Sequence, residues 1–261
     1  MKRPVRIYSD SRSVRFGRRI RIPASPRPLL KLVVPSFRSI RYPLLVMYFR
    51  CWVYLMVTVS ITWANVHQHG EAWISHHRLR YRMFVERQKW SVPSYNQIEY
   101  DEFDTPAATY ILTVDEHYRT LGTMRLIPTT RPYMVESLWP GLVDSELPHC
   151  NSVWEASRFC CDRDLDAASR RQVVAQLILG CLEFGIANGI SKYLGVMPIQ
   201  IFKNVISANQ CPVDRAGPTL RQNRHTIAAA YIDVTPSILE AVRRHTGIRS
   251  AVLEPEMAIV A

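Results

Sequence analysis

The spacing of hydrophobic and polar positions changes several times along the chain. Val57, Val59, Ile61 and Trp63 alternate with Thr58, Ser60 and Thr62, a period of two that predicts a half-buried strand. Residues 69–90 read as a helix, and residues 91–105 as a loop closed by an acidic cluster. Residues 110–114 and 120–127 read as an antiparallel hairpin joined through Asp115, Glu116 and His117. A short strand is expected over 152–159. The clearest helix is 167–188. Val173, Val174, Leu177, Ile178, Cys181, Leu182 and Gly185 form its buried face, and Gly189 stands where a C-terminal cap is expected. Residues 192–197 form an apolar strand stopped by Pro198. A second helix over 199–208, a late strand over 226–234 and a last helix over 236–245 follow. The segment 211–224 and the tail beyond Gly247 fit no element, and there is no internal repeat. Strands first, a hairpin, then β-α-β-α predict an α/β fold: a mixed sheet flanked by helices on both faces.

Composition leaves room for one large domain or two small ones. A hydrophobic content of 48% over 261 residues supplies a substantial core. The net charge of +11 is unevenly placed. Residues 1–55 hold 13 Lys plus Arg against one acid, Asp10, for +12; residues 56–261 hold 20 Lys plus Arg against 21 acids, for −1. The basic character therefore belongs to the leader, and the charge of the globular part gives no reason to expect nucleic-acid binding. Cys51, Cys150, Cys160, Cys161, Cys181 and Cys211 form no C-x-x-C pair and no disulfide framework, so they read as small buried residues in a reducing compartment. No metal site is expected: His67, His69, His76 and His77 lack partners at ligand spacing and read as surface residues. There is no G-x-S-x-G elbow and no P-loop.

Candidate chemistry gathers in RYRMFVERQKWSVPSYNQIEYDEFD, where Arg80, Phe84, Trp90, Asp101 and Asp104 fall on a fixed spacing. Arg125 follows in GTMRLIP, and Glu155 and Arg158 in WEASRF. This set, spread over roughly residue 56 to the C-terminus, resembles the signature of the acyl-homoserine-lactone synthases, the LuxI-type autoinducer synthases of quorum sensing. The resemblance implies a fold similar to GNAT-type N-acetyltransferases. It also implies acyl transfer from a thioester to the α-amine of S-adenosylmethionine, followed by lactone closure with release of methylthioadenosine. No cofactor is implied beyond these substrates. The alternative is another GNAT-like N-acyltransferase acting on a different amine.

An amine attacking a thioester must be neutral, close to the carbonyl in a dry site, and opposite donors for the developing oxyanion. Glu155, beside Trp154 and Phe159, is the candidate to take or relay the amine proton, since partial burial raises a carboxyl pKa. It reads equally well as the partner of Arg158 or Arg80 in a structural ion pair. Asp101 and Asp104 are similar to family residues that hold the cationic sulfonium substrate and organise the arginines. Without the matched residues upstream they would read as a solvated acidic loop. Arg80, Arg125 and Arg158 are the cationic members, able to grip a carboxylate through two hydrogen bonds. Nothing intrinsic separates Arg80 from Arg78, Arg82 and Arg87; only the family spacing does. Phe84 and Trp90 read as a wall of the adenosyl pocket, as a lid, or as ordinary core. With Asp101 and Arg158, Glu155 is assigned to catalysis; the remainder are assigned to substrate binding.

Leu194, in KYLGVMP, lies near the place where some relatives carry a hydroxyl that favours oxidised acyl chains. Leucine offers no such hydrogen bond, so an unsubstituted acyl group is expected. The donor is acyl carrier protein or coenzyme A. No R-x-x-G-x-G/A pyrophosphate loop is present, and an acidic carrier protein would meet Arg163, Arg170 or Arg171, so the carrier protein is favoured.

The apolar run from Pro43 to about Val66 is long enough to span a bilayer, with Arg50 as its only charge. As a signal anchor or signal peptide it would export an enzyme that consumes cytosolic metabolites. The expectation is instead a cytoplasmic enzyme of residues 56–261. Translation is then expected to start at Met56, from which Arg80 is the 25th residue, with residues 1–55 a disordered or untranslated leader. Intact mass of the native protein tests this.

Overall fold

Apolar strands, the central ones buried on both faces, and one exposed edge strand assemble into a seven-stranded sheet in the computed structural model, which describes residues 56–254. Expectations about the leader and the last residues lie outside the described residues. The strands are β1 (Val57–Ile61), β4 (Thr109–Val114), β5 (Thr120–Pro128), β6 (Val153–Cys161), β7 (Lys192–Pro198), β8 (Asp214–Gln222) and β9 (His225–Asp233). Their order is β1-β4-β5-β6-β7-β9-β8, antiparallel except for the β6–β7 pair. A helical crossover explains that one parallel pair, because the long helix α3 (Ala167–Ala187) links the two strands.

Side chains alternate between two layers. On one face Ile111, Leu121, Met124, Leu126 and Tyr193 pack against Val173, Leu177 and Cys181 of α3 and Leu239 of α5 (Pro236–Thr246). The close approach of α3 needs Gly122, where a Cβ would stand 2.5 Å from Val173 Cγ1. Asp166 caps α3 by accepting from the Ala168 and Ser169 amides, and Gly189 follows its end at φ 68°. On the opposite face Val59, Ile61, Tyr110, Leu112, Ile127 and Leu194 form a second cluster. Helix α1 (Gly70–Arg80) lies on that side and runs into a wider π-type turn over Tyr81–Arg87.

The mixed sheet with flanking helices agrees with the sequence. The differences lie where burial is slight or elements are short. Residues 211–224 contain the edge strand β8. It is almost wholly exposed, so it lacks the apolar alternation that announces a strand. The loop 91–105 contains a small hairpin, β2 (Ser94–Tyr95) and β3 (Ile98–Glu99), turned by Asn96 and Gln97 in the left-handed region. A short helix, α2 (Met134–Leu138), follows β5. The helix expected over 199–208 is a single turn, α4 (Ile199–Ile201), continued by a π turn to Ile206. His76 and His77, read as surface residues, are buried beneath Trp73 and against Tyr110, because α1 turns that side onto the sheet. No helix among the described residues is long and apolar enough to cross a membrane.

Candidate active site

Three strands and one helix deliver charged side chains into a layer that is otherwise apolar. Arg80 comes from the end of α1 and Glu99 from β3. Asp101 and Asp104 come from the loop that follows, Arg125 from β5, and Glu155 and Arg158 from β6. Arg80 and Arg125 are fully buried. Burying a guanidinium without partners is costly, and here carboxylates meet all three nitrogens of Arg80, two of Arg158 and one of Arg125. Arg80 forks Asp104 through Nη1 at 2.7 Å and Nη2 at 2.8 Å, and its Nε donates to Glu99. Arg125 Nη1 reaches Asp101 at 2.5 Å and Asp104 at 2.9 Å, while its Nε donates to Ser157 at 3.2 Å. Arg158 Nε donates to Glu99 Oε1 at 3.0 Å and its Nη2 to Asp101. Three guanidiniums thus face three carboxylates with no net charge, inside a low-dielectric layer.

The acidic loop is therefore not a solvated one. Residues two apart on an extended segment share a side, so Glu99 and Asp101 turn inward while Tyr100 and Glu102 stay exposed. Asp104 ties the loop by accepting from the Asp101 amide at 2.8 Å and from Tyr110 Oη at 2.6 Å. Burial alone would raise its pKa. The Arg80 hydrogen bonds and charge, with Arg125, outweigh burial and hold Asp104 well below the usual carboxylate range. Burial likewise works against the Arg80 charge, but Asp104 and Glu99 keep this guanidinium above its ordinary value.

Arg158 reaches this cluster only through a backbone irregularity. It sits at φ 56°, where the β5–β6 register shifts, so that Ser157 opposes Arg125 and Cys160 opposes Thr123. Strict alternation would send Arg158 to the α3 side; the bulge turns it to the other. A left-handed arginine costs about 1 kcal/mol or more and persists only where its surroundings hold it. Here Glu99, Asp101 and the Phe84 ring, 5.6 Å from Cζ, hold it.

Two guanidinium N–H groups lack a strong acceptor. Arg125 Nη2 and Arg158 Nη1 converge on Met134 Sδ, at 3.3 and 3.2 Å. A thioether is a weak acceptor, so these two donors are the least satisfied in the cluster. The next residue, Val135, donates its amide to Glu155 Oε2 at 2.7 Å, while Glu155 Oε1 has no partner among the described residues. Glu155 makes no ion pair there. Burial pushes its pKa up to about 6, against the pull of the Val135 amide and Arg125.

Phe84 and Trp90 stack with ring centroids 5.2 Å apart and planes 8° from parallel. Together with Met83 they wall a cleft of about 1250 Å³ that continues past Phe159 and Cys160 toward α3 and α4. The acidic and basic cluster lies behind that wall. Leu194 lies elsewhere. It is fully buried in the cluster with Val59, Ile61 and Ile227, opposite Glu155 in register, and does not line the cleft. Alternation along β7 turns Tyr193 and Met197 to the α3 side and Leu194 away, so the acyl-discriminating role expected of it has no geometric support.

Sequence reasoning missed Glu99, Met134, Ser157 and His77. His77 Nδ1 lies 2.8 Å from the Glu99 carbonyl, so that nitrogen carries the proton. Only Glu99 had a readable signal, its two-residue offset from Asp101; the others are brought in by tertiary folding.

A family model described as autoinducer synthase matches residues 66–242. A probable acyl-homoserine-lactone synthase of Sinorhizobium fredii is 34% identical over 149 residues, 55% of this chain and 71% of that protein. Among solved structures, the CoA-dependent acyl-homoserine lactone synthase BjaI with SAM and isopentyl-CoA is similar, with TM-score 0.69 at 26% identity over 77% of this chain and 95% of that one. The CoA-dependent synthase MesI is similar at TM-score 0.68 and 27% identity, over 75% of this chain and 98% of that one.

Proposed function

The chain belongs to the autoinducer synthase family and is an acyltransferase that makes acyl-homoserine lactones, and we propose that its acceptor is S-adenosylmethionine, its donor an acyl thioester, and its proton acceptor Glu155. The observation that carries this reading is the convergence of Arg125 Nη2 and Arg158 Nη1 on Met134 Sδ, one residue from the amide that holds Glu155. A substrate carboxylate taking the place of the thioether gains two charge-assisted hydrogen bonds. Its α-amine then lies on the side of the free Glu155 Oε1. Asp101 and Asp104 keep the surroundings of a sulfonium negative, and the Phe84–Trp90 stack offers an aromatic face to the adenosyl group.

In the acyl-transfer step the amine gives its proton to Glu155, and its nitrogen bonds to the thioester carbonyl carbon. The C–S bond breaks, and the proton passes to the leaving thiolate. In the second step a carboxylate oxygen of the substrate bonds to its γ-carbon as the C–S⁺ bond breaks, and neutral methylthioadenosine leaves. A base with a pKa of about 6 is mostly ionised at neutral pH and still basic enough to receive a proton. Arg80 is already committed to carboxylates, and the remaining N–H groups of Arg125 to Asp101, Asp104 and the Ser157 hydroxyl, which supports a positioning role for them and a direct substrate contact for Arg158 and for Arg125 Nη2. No cofactor enters either step. A cytoplasmic site of action follows from the proposed substrates, and neither nucleic acid nor membrane takes part.

Incubating the purified chain with S-adenosylmethionine and an acyl thioester, then identifying products by mass spectrometry, tests the reading. An acyl-homoserine lactone and methylthioadenosine in equal amounts are expected. An N-acylated amine without methylthioadenosine marks the other N-acyltransferase chemistry.

A further inference from the structure

The β6–β7 ladder ends at the Ala156–Gly195 pair, although β6 runs on to Cys161 and β7 to Pro198. Beyond that pair the strands lose each other, and the large cleft opens between the end of β6, the start of α3, α4 and the β8–β9 turn. Its lining is sorted by chemistry. Phe159, Val174, Ile201 and Val205 supply apolar walls. Cations come in two banks: Arg163, Arg170 and Arg171 at the start of α3, and Arg221 and Arg224 at the β8–β9 turn. Among the described residues no Asp or Glu lines the cleft, and none of these five arginines makes an ion pair. Arg170 is partly committed, since its Nη1 donates to the Leu165 carbonyl; Arg163, Arg171, Arg221 and Arg224 are exposed. The two banks belong to one opening. His225 Nε2 meets Gln88 Oε1 at 3.1 Å, which ties the β8–β9 turn to the segment that carries Phe84 and Trp90.

Resting on the synthase reading, we propose that the acyl donor is a coenzyme A thioester whose phosphates lie between these two arginine banks. The arm and acyl chain would follow the apolar walls inward. Unpaired guanidiniums on both sides of an acid-free cleft suit a small ligand that carries several phosphates into the opening. They suit a carrier protein less well. Such a protein delivers a single phosphate and lays an acidic surface on the rim, where Asp164 and Asp166 are exposed beside the α3 bank and would repel it. The expectation of a carrier protein rested on the missing R-x-x-G-x-G/A loop and on Arg163, Arg170 and Arg171. The second bank, on a strand that the sequence did not announce, shifts the balance.

The test uses the full chain and calorimetric titration with coenzyme A, with 3′-dephospho-coenzyme A and with pantetheine, which has no phosphate. Affinity is expected to fall at each step, by about tenfold or more overall, and to weaken with added salt. The double variant Arg221→Ala, Arg224→Ala changes only exposed side chains. It is expected to weaken coenzyme A about tenfold and leave pantetheine unchanged, since one charge-assisted contact is worth about that factor. With an acyl-coenzyme A donor, KM rises by a similar factor and kcat holds. Equal binding of coenzyme A and pantetheine overturns the proposal, as does lactone formation from an acylated carrier protein at a lower KM than from the coenzyme A thioester. In that last case the synthase reading stands and only the donor falls. Arginine-dependent coenzyme A binding without any lactone product supports this site and removes the synthase reading.

Discussion

Glu99 Oε1 accepts from Arg158 Nε at 3.0 Å, while its other oxygen accepts from Arg80 Nε, so one carboxylate joins the end of α1 to the bulge of β6. The two arginines come from segments 78 residues apart in sequence, and Glu99 is fully buried between them. Glu99→Gln leaves two buried guanidiniums sharing too little negative charge. Removing one partner of a buried pair costs about 3–5 kcal/mol. Chemical denaturation is expected to show a loss of that size. The double variant Glu99→Gln, Arg158→Gln is expected to lose less than the sum of the two single changes, because the charge balance is restored. Strict additivity would mean that the contact carries no coupling.

Glu155 is a different kind of carboxyl, held by one amide and otherwise unpaired among the described residues. Glu155→Gln keeps an oxygen for the Val135 amide and removes the base. Activity is expected to fall about 10²–10⁴-fold with the fold intact. In the native chain the acid limb of kcat/KM should lie near the folded pKa of about 6, with activity lost below it. Its folded pKa stands above its unfolded value of 4.5, so ionising it costs stability as pH rises through that interval. Glu155→Gln should therefore be more stable than the native chain at neutral pH, by about 2 kcal/mol at most. An unchanged acid limb in the variant would move the base elsewhere.

His76 and His77 give a second pH dependence, of opposite sign. Their rings lie 3.8 Å apart, packed against Trp73 and Tyr110. Facing them are Arg80, Arg125, Asp104 and the Glu99 carbonyl. Burial lowers His77 to about 4, with Arg80 adding to the effect, and lowers His76 well below 6.5 by burial and by its neighbour His77. A histidine with a depressed folded pKa leaves the unfolded chain to bind the proton first. Stability is then fully present above about 6.5 and is lost as pH falls toward 4, by about 1.4 kcal/mol per unit for one such group. Denaturation midpoints across pH 4–7 should fall in this way. His77→Asn, which keeps a donor for the Glu99 carbonyl, should flatten the slope.

Much of this arrangement could be read in the sequence, because long amphipathic elements and fixed spacings survive without tertiary context. Helix α3 appears nearly as drawn, since its apolar face repeats over 21 residues. Arg80, Asp101, Asp104, Arg125 and Arg158 meet in one cluster. Other features had no such signal. Strand β8 is polar and exposed, and the left-handed Arg158 is imposed by its partners and not by its residue type. Met134 enters because α2 folds back over β6, a contact of long-range origin. The histidines misled because adjacent polar residues ordinarily face solvent. Here stacking against aromatic rings offsets the loss of water for His76, whose two ring nitrogens have no partner among the described residues.

Leu194 separates an inference made by position from one made by geometry. On position it would tune acceptance of oxidised acyl chains. In the fold it belongs to the cluster on the layer away from α3, which also holds Val59 and Ile227, and is fully buried there. Leu194→Thr places a hydroxyl in an apolar cluster, which costs about 1–3 kcal/mol if no partner is found. The expected outcome is a lower denaturation midpoint with an unaltered ratio of activities on 3-oxo and unsubstituted donors. Ile201 and Val205, in the helical turns after β7, line the cleft. Ile201→Thr is therefore the change expected to shift that ratio. A shift with Leu194→Thr and none with Ile201→Thr would move the acyl chain to the face of β7 away from α3.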